Sequence, residues 1–145
     1  MLNLKALYDT DFNLWIERQI MALREQRLED IDLANLIEEI EDLARRDKRA
    51  LRSHLKVLLL HLLKWQFQPA QCSSGWKASI SNARIEIADI FSDSPSLENY
   101  LPTVVEKVYI SARILAADET SLAITRFPES CPYSLTQVLD LEFLP

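Results

Sequence analysis

The fold is decided by residues 35–69, which read NLIEEIEDLARRDKRALRSHLKVLLLHLLKWQFQP. Apolar residues recur there at the three- and four-residue spacing of a helix, and one apolar stripe keeps its phase from Leu33 to Trp65. Between Val57 and Leu63 the polar face disappears, and a helix that is apolar on every side is buried on every side. We therefore expect a long central helix whose second half is enclosed by other helices or by a dimer interface.

The bounds of the first two helices follow from capping residues. Asp32 is a suitable cap for the central helix. A break at Asp47, another good capping residue, is the alternative to one continuous helix of about 50 Å. An earlier amphipathic helix is expected to begin at Asp9 or Thr10 and to end before Asp30.

Two further main helices are predicted after the central one. The third helix should begin at Ser73 or Ser74, because serine accepts hydrogen bonds from the first turn. A fourth helix should run from about Asn99 to about Asp118. Pro102 cannot lie deep inside that helix, so it either occupies the first turn or produces a kink.

The C-terminal segment completes the predicted architecture. Ser134 and Gln137 have the spacing of a capping box, which predicts a short helix near 135–140. The proline-rich tail, 121–145, is expected to dock on the rest of a single all-helical domain spanning 1–145. The predicted fold class is therefore all-α, a four-helix-type bundle with a long central helix and a short C-terminal helix.

Composition excludes several classes of protein. With one glycine, Gly75, the chain has few positions for tight hairpins and none for a glycine-rich phosphate loop. The net charge of −6 disfavours binding to nucleic acid or to an anionic membrane through the global field. Two cysteines, Cys72 and Cys131, form no disulfide framework. Without a signal peptide or a long apolar run, a cytoplasmic protein outside the membrane is expected.

Carboxylates suggest one candidate metal site. Glu38 and Glu41, with Glu86 and Asp89 further along, give two short acidic motifs of the kind that holds magnesium in all-helical nucleoside triphosphate pyrophosphohydrolases. Carboxylate oxygens suit this hard cation. Glu38 and Glu41 nevertheless lie on the charged side of their helix, so a solvated surface is the alternative interpretation. No cofactor is predicted, and magnesium enters only with this hydrolase hypothesis.

Polar residues on the central helix give two more candidates. Asp47, His54 and His61 repeat every seven residues on its apolar side, which is about 10.5 Å of rise per step and too far for one shared metal ion. We interpret them as semi-buried polar groups paired to backbone or to another helix. A basic face is formed by four residues one or two turns apart, Arg45, Arg49, Arg52 and Lys56. It fits either a phosphate or nucleic-acid patch or a solvated, ion-paired surface.

Several ordered motifs resemble one family. They include Tyr8-Asp9 with Trp15, Asn35–Ile40, His61–Gln66 with Gln68-Pro69, Ser94–Leu97, Glu119-Thr120, and Phe127-Pro128 with Cys131–Tyr133. Together they resemble the bacterial proteins grouped as domain of unknown function 29. Ser121 stands where that family often has glycine. The resemblance implies an all-helical single domain and carries over no catalytic or binding residue.

Three functional hypotheses follow. The first is a non-enzymatic helical interaction module that binds a protein partner or a second copy of itself through the apolar segment 57–63. The second is the magnesium-dependent hydrolase. The third is a nucleic-acid or regulatory partner bound by the basic face between residues 45 and 56, although an acidic chain makes nucleic acid the less favoured ligand.

Overall fold

The computed structural model describes residues 3–145 and shows an all-helical chain with no strand in that range. Its α-helices are α1 (Leu4–Thr10), α2 (Phe12–Arg24), α3 (Leu33–Phe67), α4 (Ser74–Asp93), α5 (Leu101–Thr120) and α6 (Leu135–Leu139). Short 3-10 helices occupy Leu28–Asp30, Pro69–Gln71, Pro95–Asn99 and Ile124–Arg126. The predicted all-α class, with a long central helix and a short C-terminal helix, is confirmed. None of the helices within residues 3–145 is long and apolar enough to cross a membrane.

The chain forms two compact units, Met1–Arg46 and Asp47–Pro145. Helix α3 is continuous through Asp47, so the alternative of a break there is not realised. Its 35 residues correspond to about 50 Å of helix. The single domain predicted from the length of the chain stays a prediction.

The first unit differs from the sequence prediction at its start. Asp9 and Thr10 lie inside α1, and the helix expected to start there begins at Phe12. Asp11 is the cap, since its carboxylate accepts from the Leu14 amide at 3.1 Å. Its extended backbone, with φ of −147°, separates α1 from α2. The predicted caps, Asp9 and Thr10, were therefore wrong, and the chain uses the next polar residue instead.

The second unit encloses the apolar half of α3. Leu59, Leu60 and Leu63, which point away from the first apolar stripe, are only 0–6% exposed. They lie in one core with residues of α4, α5 and the tail, such as Ile80, Tyr109 and Phe127. Of the two alternatives for this segment, enclosure by the chain's own helices is the one observed. Segment 57–63 is therefore unavailable for the self-association suggested from sequence.

Helices α4 and α5 are bounded by capping and by proline. Ser73 caps α4 by accepting from the Trp76 amide at 3.2 Å. Pro102 lies in the first turn of α5, where its missing N–H costs no intrahelical bond, so the kink is not realised. α5 ends at Thr120 because Ser121 adopts the left-handed φ of 56°. Glycine adopts this conformation without steric cost. This explains why the family that the motifs resemble often has glycine at position 121.

The tail is held by hydrogen bonds to side chains of the helices. Ser134 and Gln137 form the predicted capping box of α6. Tyr109 donates from its hydroxyl to the Pro128 carbonyl at 2.6 Å. Arg84 is only 3% exposed, and its guanidinium donates to the Val138 carbonyl at 2.8 Å. Burial lowers the pKa of Arg84 from its ordinary value.

Candidate functional site

A buried polar network positions the start of α3 in the first unit. Trp15 donates from its indole nitrogen to the Asp32 carboxylate at 3.0 Å, and Asn35 donates to the same oxygen at 2.8 Å. The Gln19 side chain accepts from the Asp32 amide at 2.8 Å and donates to the Asp30 carbonyl at 3.3 Å. Buried polar groups must be paired. In this network the paired groups come from α2 and from residues 30–35. The network fixes α3 against α2.

Tyr8 fixes another side of α3. Its hydroxyl donates to Glu39 Oε1 at 2.5 Å. This bond, with smaller effects of desolvation and of the negative charges of Glu39, Glu38 and Asp42, raises the pKa of Tyr8 to about 12. The side of α3 that carries Glu39 therefore faces α1.

One apolar side of α3 in the first unit is about half exposed or more. Leu33, Ile37, Ile40 and Leu43 are 47–63% exposed. Their spacing of four, three and three residues places them in one stripe along the helix, which we call the apolar face. The sequence pattern placed these residues in the apolar stripe of α3, and the structure shows that this part of the stripe is exposed. Hydrophobic periodicity identifies a face but not what covers it.

The charged side of α3 in the first unit is mainly acidic. Glu38, Glu41 and Asp42 are exposed on the same helix. Arg45, the first residue of the predicted basic face, forms ion pairs with Asp42 and, at 3.6 Å, with Glu41. Exposed pairs of this kind contribute little stability, but they neutralise the nearest cation. The first unit as a whole carries eleven Asp and Glu against six Lys and Arg.

The predicted metal ligands are divided between the two units. Glu38 and Glu41 belong to α3 in the first unit, whereas Glu86 and Asp89 belong to α4 in the second. Within residues 3–145 no group of three or more His, Cys, Asp or Glu side chains is arranged to hold a metal ion. The magnesium-dependent hydrolase stays a prediction without a site in this geometry.

The predicted polar row along α3 is not one continuous environment. Asp47 is exposed, and His54 is half-buried. His61 Nδ1 lies 2.8 Å from the Val57 carbonyl, one turn earlier in the helix. That contact satisfies His61 when Nδ1 carries the proton. The three residues therefore differ in exposure and in hydrogen bonding, and they do not form a common binding site.

Three residues of the predicted basic face lie together in the second unit. Arg49, Arg52 and Lys56 line a cavity of about 340 Å³ between α3 and α5. Three polar side chains that sequence reasoning missed share the cavity, and these are Ser53, Lys107 and Ser111. We call this set the basic cavity. Lys107 and Ser111 are one turn apart, but no sequence signal shows which face of α5 meets α3.

Tyr100 orients one wall of the basic cavity. Arg52 donates from Nη1 to the Tyr100 hydroxyl at 2.6 Å. Lys48 lies over the Tyr100 ring, with its Nζ 5.2 Å from the ring centroid. The hydroxyl thus holds the Arg52 guanidinium in a defined position, while the ring face is occupied by Lys48.

A family model described as "Domain of unknown function DUF29" matches residues 7–144. The chain belongs to this family. No curated protein and no solved structure matches it significantly. The resemblance drawn from the sequence motifs is thus confirmed, and because the DUF29 description names no reaction or ligand, arguments about function rest on the geometry.

Proposed function

We propose that this DUF29 protein is a non-enzymatic helical interaction module, acting in the cytoplasm of a bacterium, that docks a protein partner on the apolar face. The observation that carries the proposal is the exposure of Leu33, Ile37, Ile40 and Leu43 in one stripe on α3. Exposed apolar residues that adjoin one another mark interaction sites more often than isolated ones do. The free thiols of Cys72 and Cys131 support a reducing compartment.

The partner that fits this face is an amphipathic helix with basic flanks. A stripe of aliphatic side chains on a helix packs best against a matching stripe on another helix. Glu41 follows Ile37 by one helical turn, and its exposed carboxylate, with the acidic surplus of the first unit, favours cationic residues on the partner. A second copy of the chain would bring the same carboxylate, together with the acidic surplus of its first unit, and would be repelled.

The test is a titration of the full chain with two synthetic helical peptides that share a leucine stripe. One peptide carries lysine on its flanks and the other carries glutamate. We expect the lysine peptide to bind at least about tenfold more tightly, because only its charges complement Glu41 and the acidic surplus of the first unit. The double variant Ile37→Ser/Ile40→Ser should weaken binding of the lysine peptide by about tenfold or more.

The chain provides a matched control for this variant. Ile110 and Ile114 on α5 have almost the same exposure as Ile40 and Ile37. The double variant Ile110→Ser/Ile114→Ser should therefore leave peptide binding unchanged. Equal affinity for the two peptides, or equal losses in the two double variants, would overturn the proposal. So would sedimentation showing a dimer that Ile37→Ser/Ile40→Ser dissociates.

A further inference from the structure

We propose that the basic cavity is a binding site for a small phosphate-bearing ligand, a phosphomonoester or a diphosphate. The site belongs to the second unit alone and lies outside the apolar face. It is built by Arg49, Arg52, Ser53 and Lys56 on α3, and by Lys107 and Ser111 on α5. The α3 residues follow the spacing i, i+3, i+4 and i+7, which is one face of a helix.

The charge of this cavity is the first argument. It has four cations and no carboxylate among its lining residues, in a chain with 22 acidic side chains and a net charge of −6. None of the four cations forms an ion pair with any carboxylate of residues 3–145. In the first unit, by contrast, Arg27 and Arg45 are each paired with two carboxylates.

Like charges around one cavity repel one another, and this repulsion disfavours the folded state unless an anion is present. Four cations gathered from two helices therefore favour a ligand with at least two negative charges. A solvated surface would not require an anionic ligand. On such a surface, however, carboxylates would be expected among the cations, and none lines this cavity. The exclusion indicates that the counter-charge comes from a ligand.

The donor chemistry suits a phosphate group. Guanidinium groups present a planar fork that matches two phosphate oxygens, and lysines add point charges. The hydroxyls of Ser53 and Ser111 can donate to further oxygens. Arg52 is already oriented by the Tyr100 hydroxyl, so less side-chain freedom is lost on binding.

The size of the cavity favours a small molecule over a polymer. About 340 Å³ is near the lower end of the range for small-molecule sites and larger than a bare phosphate needs. Val108 provides an apolar wall for an organic moiety. A nucleic acid would need cations beyond the cavity to follow its backbone, and Lys48, which precedes Arg49 on α3, is engaged with the Tyr100 ring.

The experiment is isothermal titration calorimetry of the full chain with pyrophosphate as the probe, at low ionic strength. We expect saturable binding of one pyrophosphate per chain. The double variant Lys56→Gln/Lys107→Gln should weaken binding by at least about tenfold. The double variant Lys77→Gln/Arg126→Gln removes the same charge from exposed positions outside the cavity and should change affinity by less than about twofold. No saturation, or equal losses in both double variants, would overturn the proposal.

A charge reversal separates a ligand site from a solvated surface by thermal unfolding. Lys107→Glu would place a carboxylate among Arg49, Arg52 and Lys56, so it should raise the melting temperature of the free protein by about a few degrees and abolish pyrophosphate binding. Lys77→Glu has the same formal charge change and should not raise the melting temperature. A Lys107→Glu variant that is no more stable than wild type and still binds pyrophosphate would contradict the site.

Two polymeric probes complete the test. Single-stranded RNA and a phosphoserine peptide are titrated under the same conditions. Binding of either one about tenfold more tightly than pyrophosphate, with loss in Lys56→Gln/Lys107→Gln, would overturn the small-ligand assignment in favour of that macromolecule. Binding weaker than that of pyrophosphate supports the assignment. Because the peptide titration at the apolar face uses different residues and probes, either proposal can fail without the other.

Discussion

The two units of this protein treat their apolar residues in opposite ways. In the second unit the aliphatic side chains of α3 are enclosed by α4, α5 and the tail, and the core contains Leu59 and Leu63 with no exposed surface. In the first unit the buried centre is largely a polar network around Asp32, while Leu33, Ile37, Ile40 and Leu43 remain exposed. A segment of fewer than 50 residues buries a smaller share of its apolar surface than a larger unit does. The apolar stripe of one helix is therefore core in the second unit and largely exposed in the first.

Truncation of aliphatic side chains along α3 should give the largest difference between the units. Leu59→Ala should lower the free energy of unfolding by about 3–5 kcal/mol, because it removes buried methyl groups and leaves a cavity. Ile37→Ala, on the same helix, should change it by no more than about 0.5 kcal/mol, since that side chain is already half in water. Urea unfolding followed by circular dichroism measures both values. Similar losses in the two variants would show that the apolar face is covered in the folded protein.

Loss of the Arg84 hydrogen bonds to α6 should have the next largest effect on stability. The effect should be confined to the second unit. Arg84→Ala removes two hydrogen bonds to the carbonyls of Gln137 and Val138 and leaves space beside α6, so we expect a loss of about 2–4 kcal/mol. Lys77→Ala, on the same helix but exposed, is the control and should be nearly neutral. Amide hydrogen exchange should show faster exchange in α6 with α2 unchanged. Equal acceleration in both units would contradict this confinement to the second unit.

The smallest predicted effect concerns the Tyr8–Glu39 bond and pH. The pKa of Tyr8 is raised to about 12 in the folded protein from an ordinary value near 10. The bond therefore contributes its full stability below pH about 10 and loses it as the pH rises through about 12. The difference in tyrosinate absorbance between wild type and Tyr8→Phe measures this titration. Glu39→Gln should bring the Tyr8 titration back towards its ordinary range, and an unchanged titration would contradict the bond.

Sequence reasoning predicted the part of the fold that depends on local chemistry. The burial of Leu59, Leu60 and Leu63 followed because a helix without a polar side has to be enclosed. The Ser134–Gln137 capping box followed because its two hydrogen bonds lie within one turn. Where the local chemistry was degenerate, as at Asp9, Thr10 and Asp11, the chosen cap could not be derived.

The candidate sites were harder to predict because they depend on which faces meet in space. Arg49, Arg52 and Lys56 were recognised as one helical face, but Lys107 lies 51 residues after Lys56 and no spacing rule links them. Leu33, Ile37 and Ile40 have the same periodicity whether they are covered or exposed. Periodicity identified their face, and only the three-dimensional structure showed that these side chains are about half exposed or more.

The bonds from Arg84 to the last helix have a practical consequence for anyone handling this protein. A guanidinium keeps its proton throughout the physiological range, so the attachment of α6 does not loosen with moderate acidification or alkalinity. Truncation of the chain before Ser134 would remove both carbonyl acceptors of Arg84 and leave its positive charge buried without these hydrogen bonds. A purification tag is therefore better attached before residue 1. It should not replace residues 134–145.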